Sequence, residues 1–223
     1  MKNIEWADVT WNPVTGCSRN CKWAAPDGTT VGCYARAIND RFHHQPDFSV
    51  PVFHEERLDQ PSRWKKPRRI FVCSMGDLYA PEVPTAWIDA VLHVIENNPQ
   101  HTFLLLTKCP RRLCVFNYPS NAWVGLSVWH AEFWGQPATI PARNRWISFE
   151  PLVQDVCGLM FRGELHCHCD WVVIGALSAG AKKYQPERKW IENILRAADG
   201  LPVFMKDNLD CKALGIKQRT ELP

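Results

Sequence analysis

The chain has 223 residues, a formal net charge of +3, 46% hydrophobic residues and 22% charged residues. These values exclude a disordered or fibrous chain and fit one globular α/β or barrel fold with a sizeable core. The mild positive charge permits nucleic acid as a partner without requiring it.

The start, MKNIEWADVTWN, has no apolar stretch of signal-peptide type. No apolar run approaches the ~20 residues of a membrane span, so the expectation is a cytoplasmic protein with no membrane partner. Ten cysteines are many for this length. In a reducing compartment, clustered cysteines bind metals or do chemistry more often than they form disulfides. Most of the eleven tryptophans are expected in the core or in pocket walls.

A β-prone run around Trp11 comes first and leads into a Gly/Pro/Asn-rich loop that carries Cys17, Cys21 and Cys33. Residues 43–69 are Pro-rich, then basic, and read as an excursion with weak periodicity. Short apolar runs follow at Arg69–Cys73, Thr102–Leu106, Ala122–Leu126, Arg145–Ser148, Trp171–Ile174 and Pro202–Met205. Continuous apolar runs of this length read as strands buried on both faces of a parallel sheet. Helical patterns fall between several of them. Pro84–Asn97 places Trp87, Val91, Val94 and Ile95 on one face, Pro110–Phe116 is short, and Glu187–Ala198 aligns Trp190, Ile194 and Leu195. Cys157–Asp170 reads as a Gly/His/Cys-rich insertion. The alternation predicts an α/β fold, a parallel (β/α) partial TIM-type barrel of six to seven strands, as a single domain over 1–223.

Active sites of such barrels lie at the C-terminal ends of the strands. Reading off those ends gives the cysteine loop, then Ser74 and Asp77, Lys108, Ser127, Glu150, Gly175 and Ser178, and last Lys206. One pocket is expected to hold the three thiols with Asp77, Lys108, Ser127 and Glu150. Thiolates suit iron–sulfur clusters and zinc alike. The spacing alone leaves three readings open: a [4Fe–4S] cluster with one iron lacking a protein ligand, a zinc site completed by His43 or His44, or buried thiols without metal.

The cysteine loop after the first strand, with Tyr34 directly behind the third cysteine, resembles the radical S-adenosylmethionine (SAM) superfamily. The chain is most similar to a phage and bacterial family of short, three-cysteine radical-SAM-like proteins of largely unassigned function. The segments that carry the resemblance are WNPVTGC, CYA, FVCSMGDLY, FLLLTKCPRRL, NAWVGLSV, RWISFEPL, WVVIGALSAGA and PVFMKDNL. One departure is plain: the superfamily spacing is Cys-x3-Cys-x2-Cys, whereas eleven residues separate Cys21 from Cys33.

The resemblance implies a [4Fe–4S] cluster on Cys17, Cys21 and Cys33, SAM as the second cofactor and an external electron donor. It implies cofactor contacts from Tyr34, Ser74, Asp77, Ser127, Glu150, Gly175 and Ser178, with Asp77 meeting the SAM amino group and Gly175 letting the backbone approach adenine. Lys108, Glu150 and Lys206 become the candidate catalytic residues. The implied reaction is radical chemistry by an isomerase, lyase or C–C bond-forming enzyme. Its substrate would be a nucleotide or a base in phage DNA such as a hypermodified thymine, the setting being the host cytoplasm if phage-encoded. Two alternatives are a zinc- or cluster-stabilised nucleic-acid-binding protein without catalysis, and a base-repair enzyme.

Three further features complete the reading. His166, Cys167, His168 and Cys169, with Cys157 nearby, read either as a solvent-exposed insertion or as a second metal site in which Cys167 and Cys169 of an extended segment face one ion. Cys73, Cys109, Cys114 and Cys211 are expected to pack as small hydrophobes. Arg63, Lys65, Lys66, Arg68 and Arg69 surround Trp64, a basic–aromatic run that suits nucleic acid or a solvated approach to the next strand with Trp64 as a core plug, with Arg111, Arg112, Arg143 and Arg145 as further cations.

Overall fold

The computed structural model describes residues 4–25, 27–130, 140–158, 162–178 and 184–222. In chain order the elements begin with β1 (Val9–Trp11), β2 (Val14–Thr15), β3 (Lys22–Ala24), β4 (Thr30–Gly32), α1 (Tyr34–Phe42) and β5 (Val52–Phe53). They continue with α2 (Gln60–Arg63), β6 (Arg69–Val72), α3 (Thr85–Glu96), β7 (Thr102–Thr107), β8 (Ala122–Ser127) and β9 (Asn144–Phe149). The last are β10 (Trp171–Ile174), α4 (Arg188–Ala197) and β11 (Val203–Met205).

Seven of these strands form one parallel sheet in the order β1-β6-β7-β8-β9-β10-β11. The order follows the chain and never reverses. That is the winding of a (β/α) barrel, whereas a doubly wound sheet has a switch point. The expected fold class therefore holds. The short apolar runs became the central strands because a run buried on both faces has no polar side to offer water; all four residues of β10 are buried.

The chain divides into two compact units, one of residues 1–22, 32–124 and 140–144 and the other of 23–31, 125–139 and 145–223. In the first unit the core gathers Trp11, Ile70, Val72, Phe103 and Leu105 from the strands with Ile88, Val91 and Ile95 from α3. In the second it gathers Ile147, Phe149, Val172, Ile174 and Met205 with Ile191 and Ile194 from α4.

Both long helices lie rotated from the faces expected. Helix α3 buries Ile88, Val91, Leu92 and Ile95, the i, i+3, i+4, i+7 row along the middle of its apolar arc. Trp87 and Val94 fall at the margin of that arc, and Trp87 stacks on Phe53 at 5.2 Å. Helix α4 likewise buries Ile191, Ile194 and Ala197, with Trp190 and Leu195 at the margin.

The excursion at 43–69 is a set of short pieces: β5, which pairs antiparallel with β2, a 3-10 turn at Glu55–Arg57, and α2. Pro110–Val115 is a 3-10 helix. Residues past β11 line its edge, since Met205 N–H donates to Arg219 O and Phe204 bridges Thr220 antiparallel. An edge strand covered in this way is closed to pairing with another chain. Among the described residues no helix is long and apolar enough to cross a membrane.

Candidate functional site

In the first unit, the chain leaves β1 through Asn12, and Asn12 Oδ1 accepts hydrogen bonds from the Ser74 hydroxyl (3.2 Å) and the Met75 N–H (2.9 Å). The cysteine loop opens with Gly16, which has φ +85° and forms a parallel bridge with Gly76. A Cβ on Gly76 would lie 2.8 Å from Gly16 O, so only glycine lets these two backbones touch. Gly16 N–H donates to Met75 O (2.8 Å) and Cys17 N–H to Phe48 O (2.7 Å). The backbone before the buried Cys17 thiol is thus held from two sides.

Between Cys21 and Cys33 the strands β3 and β4 pair as a hairpin. Cys21 immediately precedes its first strand and Cys33 immediately follows its second, so pairing of the strands returns the third cysteine beside the second. Cys33 then caps α1. Tyr34, half-exposed, donates its hydroxyl to Ser74 O at 2.6 Å and so pins α1 to the turn after β6. Arg36 on the same helix donates to Cys17 O at 3.3 Å.

Asp77 is buried and fully engaged. Its Oδ1 accepts from the Tyr79 N–H (3.0 Å) and the Thr107 hydroxyl (2.6 Å), and its Oδ2 from the Lys108 N–H (2.9 Å). The carboxylate ties the end of β6 to the end of β7 rather than standing free to meet an ammonium. Its charge reaches four thiols. Burial first, and Asp77 next, push Cys17 up to about 12 and Cys109 up to about 11. Burial holds Cys73 up at about 12, with Asp77 adding to it. Cys21 is raised by burial and by the Cys33 thiol, against the opposing pull of Lys108. Cys17 also feels Cys21 and Cys109. These thiols therefore share one neighbourhood, with Lys108 and Arg19 as its cations.

In the second unit, Glu150, Gly175 and Lys206 each directly follow a strand, β9, β10 and β11 in turn. The register pairs Phe149 with Ile174 and Ile174 with Met205, so the three residues form one row across the strand ends. Glu150 Oε1 accepts from Lys206 Nζ at 2.5 Å and from the Ser178 hydroxyl at 3.2 Å. The buried Ser127 hydroxyl donates to Glu150 O at 3.1 Å. A Cβ on Gly175 would meet Glu150 Cδ at 2.9 Å. Gly175 thus makes room for the Glu150 side chain crossing to Lys206, a correction to its expected role beside adenine.

A family model described as "Protein of unknown function (DUF5131)" matches residues 1–213. The chain belongs to the DUF5131 family. No curated protein and no solved structure matches it. The match is to DUF5131 and not to a radical SAM family, which overturns the superfamily assignment made from the cysteine loop. The physical reason lies in the loop itself. The superfamily has two residues between its second and third cysteines, whereas here that gap holds the paired strands β3 and β4.

Other expectations for this DUF5131 chain also change. Residues 164–167 form a 3-10 turn instead of an extended strand, with Cys167 exposed and Cys169 buried. Cys157, Leu165 and Cys169 belong to the core of the second unit, so the cysteines of this segment do not face one ion. Among the described residues no group of three or more His, Cys, Asp or Glu side chains is gathered to hold a metal. Cys114 is exposed, whereas Cys109 packs half-buried against the core of the first unit as expected.

The basic run does not form a ring of cations round Trp64. Arg63 pairs with Asp59 and Arg69 with Asp8. Arg68 lies over the Trp64 ring at 5.7 Å, and Trp64 packs on the core. Asn12 was missed in the sequence; the signal available was its place directly after β1.

Proposed function

We propose that this DUF5131 protein is an iron–sulfur enzyme that cleaves S-adenosylmethionine, acting on a nucleotide or a nucleic-acid base and drawing its electron from an external donor. The observation that carries the reading is that three soft ligands lie along one short stretch of chain, with the Cys21 thiol in the electrostatic neighbourhood of both Cys17 and Cys33. Three cysteines would bind three irons of a [4Fe–4S] cluster and leave the fourth open. When bound, such a cluster supplies one electron and a coordination position for the amino and carboxylate groups of SAM.

The donor chemistry fits, because Cys21, which senses the thiols of both Cys17 and Cys33, also senses Lys108 and Arg19, cations that offset thiolate charge. The thiols must close further on the ion and lose their protons to ligate. Cys17 and Cys21 are both raised, so loading tightens as pH rises. Tyr34 and the Gly16–Gly76 bridge position this loop against the end of β6, which Asp77 ties to the end of β7.

A zinc-stabilised, non-catalytic nucleic-acid-binding protein is the second reading. The Cys109 thiol near Cys17 favours it, since four thiols complete a structural zinc site. Anaerobic reconstitution with iron and sulfide separates the two. The enzyme reading expects a brown protein with four irons per chain, by the cluster stoichiometry, and 5′-deoxyadenosine on addition of SAM and reductant. Both should be lost in Cys33→Ala. A colourless protein holding one zinc, released on Cys109→Ala, would select the second reading.

A further inference from the structure

The second unit carries a polar constellation that cysteine ligation does not use. Glu150 and Lys206 are an ion pair whose side chains are only 18% and 17% exposed. They stand at the C-terminal ends of parallel strands, the edge where ligands of such sheets bind. Oε1 of Glu150 is saturated by Lys206 and Ser178. Among the described residues, Oε2 has no donor and the ammonium of Lys206 has only Glu150. An acceptor and a donor are therefore left side by side on a half-buried, net-neutral pair.

The platform beneath is fixed. Asn208 grips Ala176 at both its N–H (3.1 Å) and its carbonyl (3.0 Å). Gln185 donates to Asn208 O at 2.9 Å and accepts from the Asp210 N–H at 2.7 Å. Lys206 N–H donates to Ile174 O, and Gly175 N–H to Phe149 O. The absent side chain at Gly175 is what allows the pair to form across β10.

We infer that Glu150 and Lys206 recognise a neutral ligand through an N–H that lies next to a carbonyl, the amide-type edge of a pyrimidine base. Oε2 accepts the N–H, and Nζ donates to the carbonyl oxygen. An amide nitrogen and oxygen share one carbon, which matches a donor and an acceptor held this close. A ligand with a net charge would unbalance a half-buried pair, whereas a neutral one leaves it compensated. The inference deepens the substrate half of the reading above and needs no cluster, so the two fail separately.

The test is calorimetric binding of thymidine to the full chain without cofactor, beside N3-methylthymidine, adenosine and free methionine. Thymidine should bind and N3-methylthymidine should not, because methylation removes the N–H. Glu150→Gln should weaken thymidine about 10- to 150-fold, the worth of a charge-assisted hydrogen bond. Since that change leaves Lys206 uncompensated, Glu150→Gln/Lys206→Met is measured as well, with thermal melting to confirm folding. It should bind no better than the single variant. Equal binding of thymidine and its N3-methyl form, equal binding of adenosine, binding of methionine alone, or no saturation by thymidine would each overturn the inference.

Discussion

Asp77 serves both the architecture and the electrostatics of the cysteine neighbourhood. Its three hydrogen bonds join the ends of β6 and β7, and its charge makes the nearby thiols harder to ionise. Asp77→Asn keeps the shape and removes the charge, so Cys17 and Cys109 should become more acidic and react faster with iodoacetamide in mild alkali. Unchanged alkylation rates would show that burial alone sets their protonation. The same change replaces an acceptor by a donor, and a mispaired buried group costs about 1–3 kcal/mol; a lower melting temperature is expected alongside. Cys73 adds strain at the same place, holding φ +57° directly after β6, a conformation that costs a non-glycine residue about 1–3 kcal/mol. None of this was legible in the sequence. Asp77 there is one polar residue after a strand, and two of its three partners lie some thirty residues downstream.

At the level of elements, the strands were legible because each is a continuous apolar run, and their boundaries came within a residue or two. The β3–β4 hairpin was not. Its strands are three residues long and mostly exposed or half-buried, so no burial pattern announces them. If the hairpin brings its ends together, mild oxidation with diamide should join Cys21 to Cys33 before any other pair, as peptide mapping would show. A first product linking Cys17 to Cys109 would mean that the hairpin ends stand apart. The pairing of Glu150 with Lys206 was equally hidden, since the partners lie 56 residues apart and meet only through the register of three strands. In the basic run, Lys65 and Lys66 remain after Arg63 and Arg69 are paired. Reversing both to Glu should flatten the log–log dependence of DNA affinity on salt by about 0.9 for each phosphate that is no longer neutralised. An identical slope would make the run a solvated approach to β6.

Over the whole molecule, buried thiols couple stability to pH. Cys17, Cys73 and Cys169 are pushed from 9.0 up to about 12 by burial. Their folded pKa values lie above the unfolded one, so their contribution is complete below about pH 9 and is lost as pH rises toward 12. Denaturant midpoints should therefore fall across that alkaline window, and less steeply in Cys73→Ala/Cys169→Ala. A parallel fall in the variant would assign the loss to other groups. The order of the sheet was readable from the alternation of runs and helices; the division into two units was not, because no linker composition marks it. Hairpins can gain or lose residues in pairs at the tip while their ends stay in place. The count of residues between Cys21 and Cys33 thus carries no information about the distance between the thiols. A search pattern written as fixed cysteine spacing passes over every chain that builds this neighbourhood with a longer or shorter ribbon.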